Sequence, residues 1–292
     1  MHHLYSKKKF LGFVFPMLFM YTALFMLPLV LAFIYSFTTY NGIGEAVWNN
    51  FKNYKLLLTD KLMFTSITNT LKMAAVNLVL TIPISFFLAL VLQKTCRKNT
   101  TYKTILFAPY VIPGAISGLI WLFILDPSAG LINNVLRAIG LDSMAMQWIG
   151  GIKLSPYSIA IVCTWGGIGF YMVLWQLGLK NLPGEVLEAS LIDGCTKWQQ
   201  ITKVMIPMLH DTIFSIAIFI LTGALKIYDY VYILTGGGPN HSSESIVSYM
   251  YSTTFTDRMV GYGMSIAVVE FTIAIAVTLL MQYLSRRKSV EL

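Results

Sequence analysis

Residues 183–207 read Pro183-Gly-Glu-Val-Leu-Glu-Ala-Ser-Leu-Ile-Asp-Gly194-Cys-Thr-Lys-Trp-Gln-Gln-Ile-Thr-Lys-Val-Met-Ile-Pro207, a polar stretch held between two apolar runs at 159–179 and 213–234. Pro183 suits the first turn of a helix, Glu185 and Glu188 favour its positive end, and Gly194 is a natural left-handed stop. The predicted helix, of about eleven residues, is too short to cross roughly 30 Å of hydrocarbon. Thr196 with Gln199 three positions on has the spacing of a capping box, and Pro207 closes the second helix before the next apolar run. The stretch therefore reads as helix, turn, helix at a membrane surface. Leu187 and Leu191 share one face of the first helix, with Ser190 and Gly194 as small neighbours that let another surface approach. Periodicity fits two readings equally: a protruding knob that binds a partner, or an amphipathic helix on the lipid headgroups.

On either side the chain is dominated by apolar runs. Of 292 residues, 56% are hydrophobic and 12% charged, and mean hydropathy is +0.68. A soluble domain usually carries about a quarter charged residues, so an ordinary soluble enzyme is excluded. Six runs are long enough to span a bilayer: 10–37, 71–92, 105–125, 159–179, 213–234 and 262–284. Of the 34 charged residues, 30 fall outside them, the segregation expected of a helical integral membrane protein. The first run follows Lys7, Lys8 and Lys9, but its 28 residues far exceed the apolar core of a secretory signal, so it reads as a retained helix.

Lysine and arginine fix the expected orientation. Thirteen lie on one side of the six spans, in residues 7–9, 94–103, 180–203 and 286–288, and six on the other. The positive side is cytoplasmic, which puts both termini inside and accounts for the net charge of +8 without nucleic-acid binding. Residues 38–70, 126–158 and 235–261 then face outward, and residues 180–212 form the long cytoplasmic loop. Cys96, Cys163 and Cys195 have no spacing suited to a disulfide framework or zinc, so no metal is expected.

Within the cytoplasmic loop, Glu188-Ala189-Ser190, three residues, Gly194, nine residues, Val204, one residue, then Ile206-Pro207 resembles the EAA loop of membrane subunits of binding-protein-dependent ABC importers. The usual form there is Glu-Ala-Ala, three residues, Gly, nine residues, Ile, one residue, Leu-Pro. Ser190, Val204 and Ile206 depart conservatively from it, with the spacing kept. Phe51-Lys52-Asn53-Tyr54 with Asn69-Thr70-Leu71, and Lys226-Ile227-Tyr228-Asp229 with Leu234-Thr235-Gly236-Gly237-Gly238-Pro239, are similar to patterns of the carbohydrate branch. The resemblance covers about residues 10–284. It implies an all-α membrane fold of one transmembrane permease domain: an N-terminal helix at 10–37 and a five-helix type I core at about 67–284.

The resemblance also implies function. Glu185, Glu188, Ala189, Ser190, Asp193, Gly194, Val204, Ile206 and Pro207 would form a coupling helix seated on a cytoplasmic ATPase subunit, which favours the knob reading. The Gly236, Gly237, Gly238 and Pro239 turn would lie at the outer mouth, where a binding protein docks. No Gly-x4-Gly-Lys-Ser/Thr occurs, so ATP and Mg are expected on a separate partner and no catalytic activity or cofactor on this chain. The implied partners are a second homologous permease subunit, two ATP-binding subunits, an extracytoplasmic solute-binding protein and the lipid bilayer of the cell membrane.

Ionisable groups inside apolar spans need a partner or a wet cavity. Lys72 reads as an anchor at the outer end of its span. Lys226 and Asp229 share a face of the fifth run, and Glu270 in the sixth lies at similar depth, roughly 12 Å inward at about 1.5 Å per residue. They read either as a structural salt bridge or as a polar wall bearing on sugar hydroxyls, the latter helped by the rings of Tyr228, Tyr230 and Tyr232. Trp165 and Tyr171, around the glycines at 166, 167 and 169, are a further pathway candidate, although close helix packing is the favoured explanation of the glycines. Two other classes compete with the importer reading. An intramembrane protease built on a Tyr228-Asp229 and Glu270 acid pair lacks the usual glycine-aspartate partner motif, and a Ser/His version fails because all four histidines lie outside the spans. An ion-coupled secondary transporter of a small polar solute would have no reason to keep the 183–207 loop.

Overall fold

The computed structural model describes residues 7–93 and 96–289, most of them helical. Residues 1–6 and 290–292, the chain ends placed inside by charge, and Lys94 of the basic turn lie outside the described residues. Helix α1 (Lys7–Tyr21) passes through a π-helical turn at Thr22–Met26 into α2 (Leu27–Tyr35). Strands β1 (Thr38–Thr39) and β2 (Val47–Trp48) pair antiparallel, Thr38 opposite Trp48. There follow α3 (Lys52–Leu57), α4 (Lys61–Val91), α5 (Arg97–Val111), α6 (Gly114–Leu125), α7 (Leu131–Ala138) and α8 (Ser155–Lys180). The chain continues with α9 (Gly184–Ile192), α10 (Lys197–Gln199), α11 (Ile206–Met208), α12 (His210–Leu225), α13 (Asp229–Thr235), α14 (Ile246–Tyr251) and α15 (Val260–Ser289). Among the described residues β1 and β2 are the only strands, so the expected all-α fold is mostly but not wholly helical.

Four helical stretches are long and apolar enough to cross a membrane: Val14–Tyr35, Lys61–Val91, Ser155–Lys180 and Val260–Arg286. Two bent pairs raise the number to as many as six: α5 with α6, bent by 99°, and Lys197–Met208 with α12, bent by 71°. The side chains of Val14–Tyr35 are largely exposed, as lipid-facing residues are, with Phe15 at 64% and Met17 at 79%.

Two expected straight spans are broken. At 105–125, Ile112 is extended (φ −73°, ψ 129°), and Pro113 lacks the N–H to continue the helix and pushes the residue before it out of the helical region. At 213–234, α12 ends at Leu225, Tyr228 takes φ −133°, ψ −59°, and helix resumes at Asp229. The Ile227 carbonyl released there accepts from Ser245 Oγ at 2.7 Å, so the break leaves it satisfied. Lys226 and Asp229 consequently do not share a helical face, and a depth counted along one continuous helix does not apply to them. Lys72, expected at the end of its span, lies inside α4 with an exposed side chain.

The described residues group into two compact units. The first holds the chain up to Asp60 with Met250–Thr272. There Phe37 packs on Trp48, Phe51 and Tyr54, and the Asn53 amide donates to the carbonyls of Ser36 (2.8 Å) and Thr38 (2.9 Å), fixing the turn after α2. Glu270 belongs to this unit and is half-buried. The second unit holds Lys61–Tyr249 with the chain from Ile273, and has two buried clusters. One gathers Met73, Leu125, Ile159, Val162, Ile227 and Val231; the other Ala89, Met172, Trp175, Leu179, Met205, Leu209 and Ile216. Lipid tails are as apolar as leucine, so close packing and polar ties hold such helices together. Gly169 shows the packing: a Cβ there would fall 2.6 Å from Phe107 Cα on α5. Helix α8 runs through its glycines without unwinding.

Candidate functional site

The 183–207 segment folds as a closed hairpin. Pro183 caps α9 in an extended conformation, and Glu185 lies in the first turn. The helix has nine residues, shorter than expected, because Gly194 turns left-handed at φ +82° and Cys195 N–H donates to the Ser190 carbonyl at 3.0 Å. That pair of features is a Schellman closure, and glycine meets its positive φ without strain. Thr196 and Gln199 then form the capping box: Gln199 N–H donates to Thr196 Oγ1 (3.3 Å) and Thr196 N–H to Gln199 Oε1 (2.8 Å).

The two arms are tied by a residue that the sequence reading passed over. Gln200 Nε2 donates to Leu187 O and to Ser190 Oγ, both at 2.8 Å, while Ser190 Oγ donates to Leu187 O at 2.7 Å. Ser190 is buried by this arrangement, so it pins the hairpin from within instead of opening a space for another surface. Leu187 packs inward on the cluster around Met205 and Leu209, whereas Leu191 points out, so the two do not share one exposed face. The outer surface carries Glu185, Glu188, Ala189, Asp193 and Gly194 together with exposed Val186, Leu191, Ile192 (86%) and Trp198 (72%). Val204 is half-buried; Ile206 and Pro207 are exposed where the chain bends into α12. The hairpin is thus internally satisfied and carries apolar and acidic groups side by side on its outside.

The Gly236–Pro239 turn closes α13, with Gly236 at φ +58° and Gly237 at φ +83°. It is held to α4 by the Asn69-Thr70 pair: the Asn69 amide donates to His241 O (3.2 Å) and Glu244 O (3.3 Å), and Ile246 N–H donates to Thr70 Oγ1 (3.1 Å). The buried Glu244 carboxylate accepts from Ser248 Oγ (2.7 Å) and lies 2.9 Å from His241 Nδ1. Gly237 leaves room for that carboxylate.

Where the two helix breaks meet, the second unit encloses a cavity of about 370 Å³. Of the expected pathway residues, Lys226, Tyr228 and Asp229 line it, with Tyr230 beside them. Asp229 Oδ2 lies 2.8 Å from where a Gly114 Cβ would be, so α6 begins directly against this carboxylate. Tyr232 is outside the lining, half-exposed and stacked on Tyr228 (5.4 Å between centroids). Trp165 packs edge-on against Trp121 (5.4 Å), and Tyr171 against Phe170 (5.3 Å), neither on the cavity wall. The lining also includes Asn77 and Tyr110, which the sequence reading passed over. A search for charges in apolar spans overlooks a neutral amide; the polar Asn77 within an apolar run was the available signal. Among the described residues, no group of three or more His, Cys, Asp or Glu is placed to hold a metal ion.

Long apolar helices around a cavity with polar lining residues define the chain as a membrane-embedded transport subunit. Comparison with known proteins gives the family. A model described as "Binding-protein-dependent transport system inner membrane component" matches residues 78–290, and the chain belongs to this family. It is 33% identical to the probable ABC transporter permease protein YurN of Bacillus subtilis, over 81% of this chain and 82% of that one. To the probable starch degradation products transport system permease protein AmyD of Thermoanaerobacterium thermosulfurigenes it is 29% identical, over 96% and 94%. The fold is similar to a crystal structure of a bacterial ABC transporter involved in import of the acidic polysaccharide alginate, with a TM-score of 0.82 over 96% of both chains at 21% identity. The protein is therefore a multi-pass inner-membrane subunit of an ABC importer, non-catalytic, with ATP hydrolysed by a separate ATPase.

Proposed function

We propose that this subunit forms half of the pathway for a sugar or oligosaccharide, and that the 183–207 hairpin receives the movement of the ATPase. In this reading six spans cross the membrane with both termini cytoplasmic: the four long helices, α5 with α6, and α12 with α13. The hairpin then lies inside and the Gly236–Pro239 turn outside. The partners are a second related permease subunit, two ATP-binding subunits that carry ATP and Mg, and an extracytoplasmic solute-binding protein at the outer turn. The name of AmyD, which refers to starch degradation products, supports a carbohydrate cargo.

The observation that carries the coupling role is the hairpin's construction: Schellman closure, capping box and Gln200 pin make it a rigid lever, while Glu188, Leu191 and Ile192 stay outside. Closure of two ATPase subunits on ATP would carry such a lever as one body and favour the outward-open arrangement by differential binding. At the cavity, Tyr228 and Tyr230 offer flat apolar faces with hydroxyl tips, and Lys226 and Asp229 offer polar groups, the combination that suits a sugar. Glu270 remains a further candidate on the pathway.

The test is uptake of labelled oligosaccharides by proteoliposomes holding the purified complex. Accumulation that needs both ATP and the binding protein is expected. Uptake by this chain alone, driven by an ion gradient, would favour the secondary-transporter reading and overturn this one.

A further inference from the structure

We propose that Asn77 is a fixed hydrogen-bond donor that helps to select the sugar inside the cavity, an inference that rests on the sugar-transport reading above. Asn77 sits on α4, half-buried, at the cavity wall. Its Oδ1 accepts from Thr81 Oγ1 at 2.6 Å and from Thr164 Oγ1, on α8, at 3.3 Å. Both threonines are buried, at 0% and 4% exposure, and their hydroxyls lie 3.5 Å apart, so Asn77, at 2.6 Å, is the stronger of the two acceptors open to Thr81. The support continues behind them: Ser85 Oγ donates to Thr81 O at 2.5 Å and accepts from the buried Trp175 Nε1 at 3.1 Å.

With Oδ1 taken by the two buried hydroxyls, Nδ2 is the part of the amide left to make a further bond. The Nδ2 group has no hydrogen-bond partner among the described residues, and Asn77 lines the open space. Two N–H donors are thus held at the cavity wall, awaiting an acceptor. A hydroxyl or ring oxygen of a sugar supplies one, and the aromatic face of Tyr110, stacked on Phe170 (4.6 Å, 9°), offers a surface for the ring. A site built to hydrogen-bond a substrate group rejects analogues lacking it far better than an apolar pocket does, because the donor is otherwise left unpaired. Capture of free sugar belongs to the binding protein, so Asn77 acts on the passage of sugar already delivered.

The complex and its binding protein, in proteoliposomes, are given labelled maltotriose, cellobiose, raffinose and diacetylchitobiose, with rates taken per assembled complex. If wild type moves none of them in an ATP-dependent way, the sugar reading itself fails and this inference with it. With transport established, Asn77→Leu is expected to slow the best sugar by about 5–20-fold, the loss of one or two hydrogen bonds. The ranking of the sugars should change, with half-saturation by loaded binding protein unchanged. Thr81→Val, which frees the amide to rotate, should cost about 2–5-fold, and Thr81→Ser should restore the wild-type rate. Wild-type rates in Asn77→Leu, or an equal loss for every sugar with the ranking preserved, would overturn the proposal. Should Asn77→Leu fail to assemble, the Thr81 pair decides alone: equal behaviour of Val and Ser counts against it.

Discussion

Asn133 shows what a single amide does in this chain. It is 1% exposed; its Nδ2 donates to the carbonyls of Pro127 (3.0 Å) and Met146 (2.9 Å), while its Oδ1 accepts from Trp148 Nε1 (2.8 Å) and Met146 N–H (3.3 Å). All its hydrogen-bonding groups are used, and they close the loop between α6 and α8. Asn133→Ala strands the Trp148 N–H and two carbonyls, at a cost of about 2–3 kcal/mol. The thermal unfolding midpoint of the purified complex should fall clearly, whereas Asn134→Ala, with one exposed bond to Ala129 O, should leave it within error. Gly194 carries a different constraint. No atom lies within 4 Å of the Cβ it lacks, so Gly194→Leu fits spatially but is forced into the left-handed region, a strain of about 1–2 kcal/mol. That loosens the hairpin's closure without touching any span. The expected outcome is normal membrane insertion with reduced sugar transported per ATP, measured side by side in proteoliposomes; unchanged coupling would contradict the lever.

Helix packing separates the glycines of α8 and α12 sharply. Gly169→Ala sets a methyl into the backbone of Leu106 and Phe107, which cannot move aside as a side-chain tip can. It should cut the yield of folded subunit severely, by gel filtration of the detergent-solubilised protein. Gly223→Ala meets nothing within 4 Å and should be tolerated. These packings, and both breaks, were where reading the chain was hardest. Pro16, Pro83 and Pro109 all sit inside helices, so a proline alone does not announce a break. What distinguishes Pro113 is that Gly114, a poor helix former, follows it, and that Asp229 occupies the space beside that glycine. The break before Asp229 carries no proline and is sustained by Ser245, 18 residues further on, a tie that no local pattern reveals. By contrast the hairpin's closing turn and its capping box were legible, although its Gln200 tie and the burial of Ser190 were not. Its stop and its capping box are encoded within four residues of where they act, as local backbone chemistry requires. Ser190 explains itself only in the structure: the hydroxyl that replaces the usual alanine is the acceptor for Gln200. Ser190→Ala should therefore cost about 1 kcal/mol and lower coupling only slightly.

In the second unit two helix breaks open a cavity, and the 183–207 hairpin precedes α12. Family membership fixes that it serves an ABC importer. Charge distribution supports the sidedness, and Glu188→Lys, reversing an exposed carboxylate of the hairpin, should uncouple ATP hydrolysis from uptake while leaving assembly intact. The central claim is that a nucleotide-hydrolysing neighbour pushes on this hairpin. Ile192, 86% exposed at the end of α9, is the place to ask. With a photoreactive phenylalanine analogue at position 192 of the assembled transporter, irradiation should yield an adduct with the ATPase subunit, in amounts that change when ATP is added. Adducts confined to lipid, or modification of a cysteine at the same position by a membrane-impermeant reagent applied from outside the cell, would contradict it.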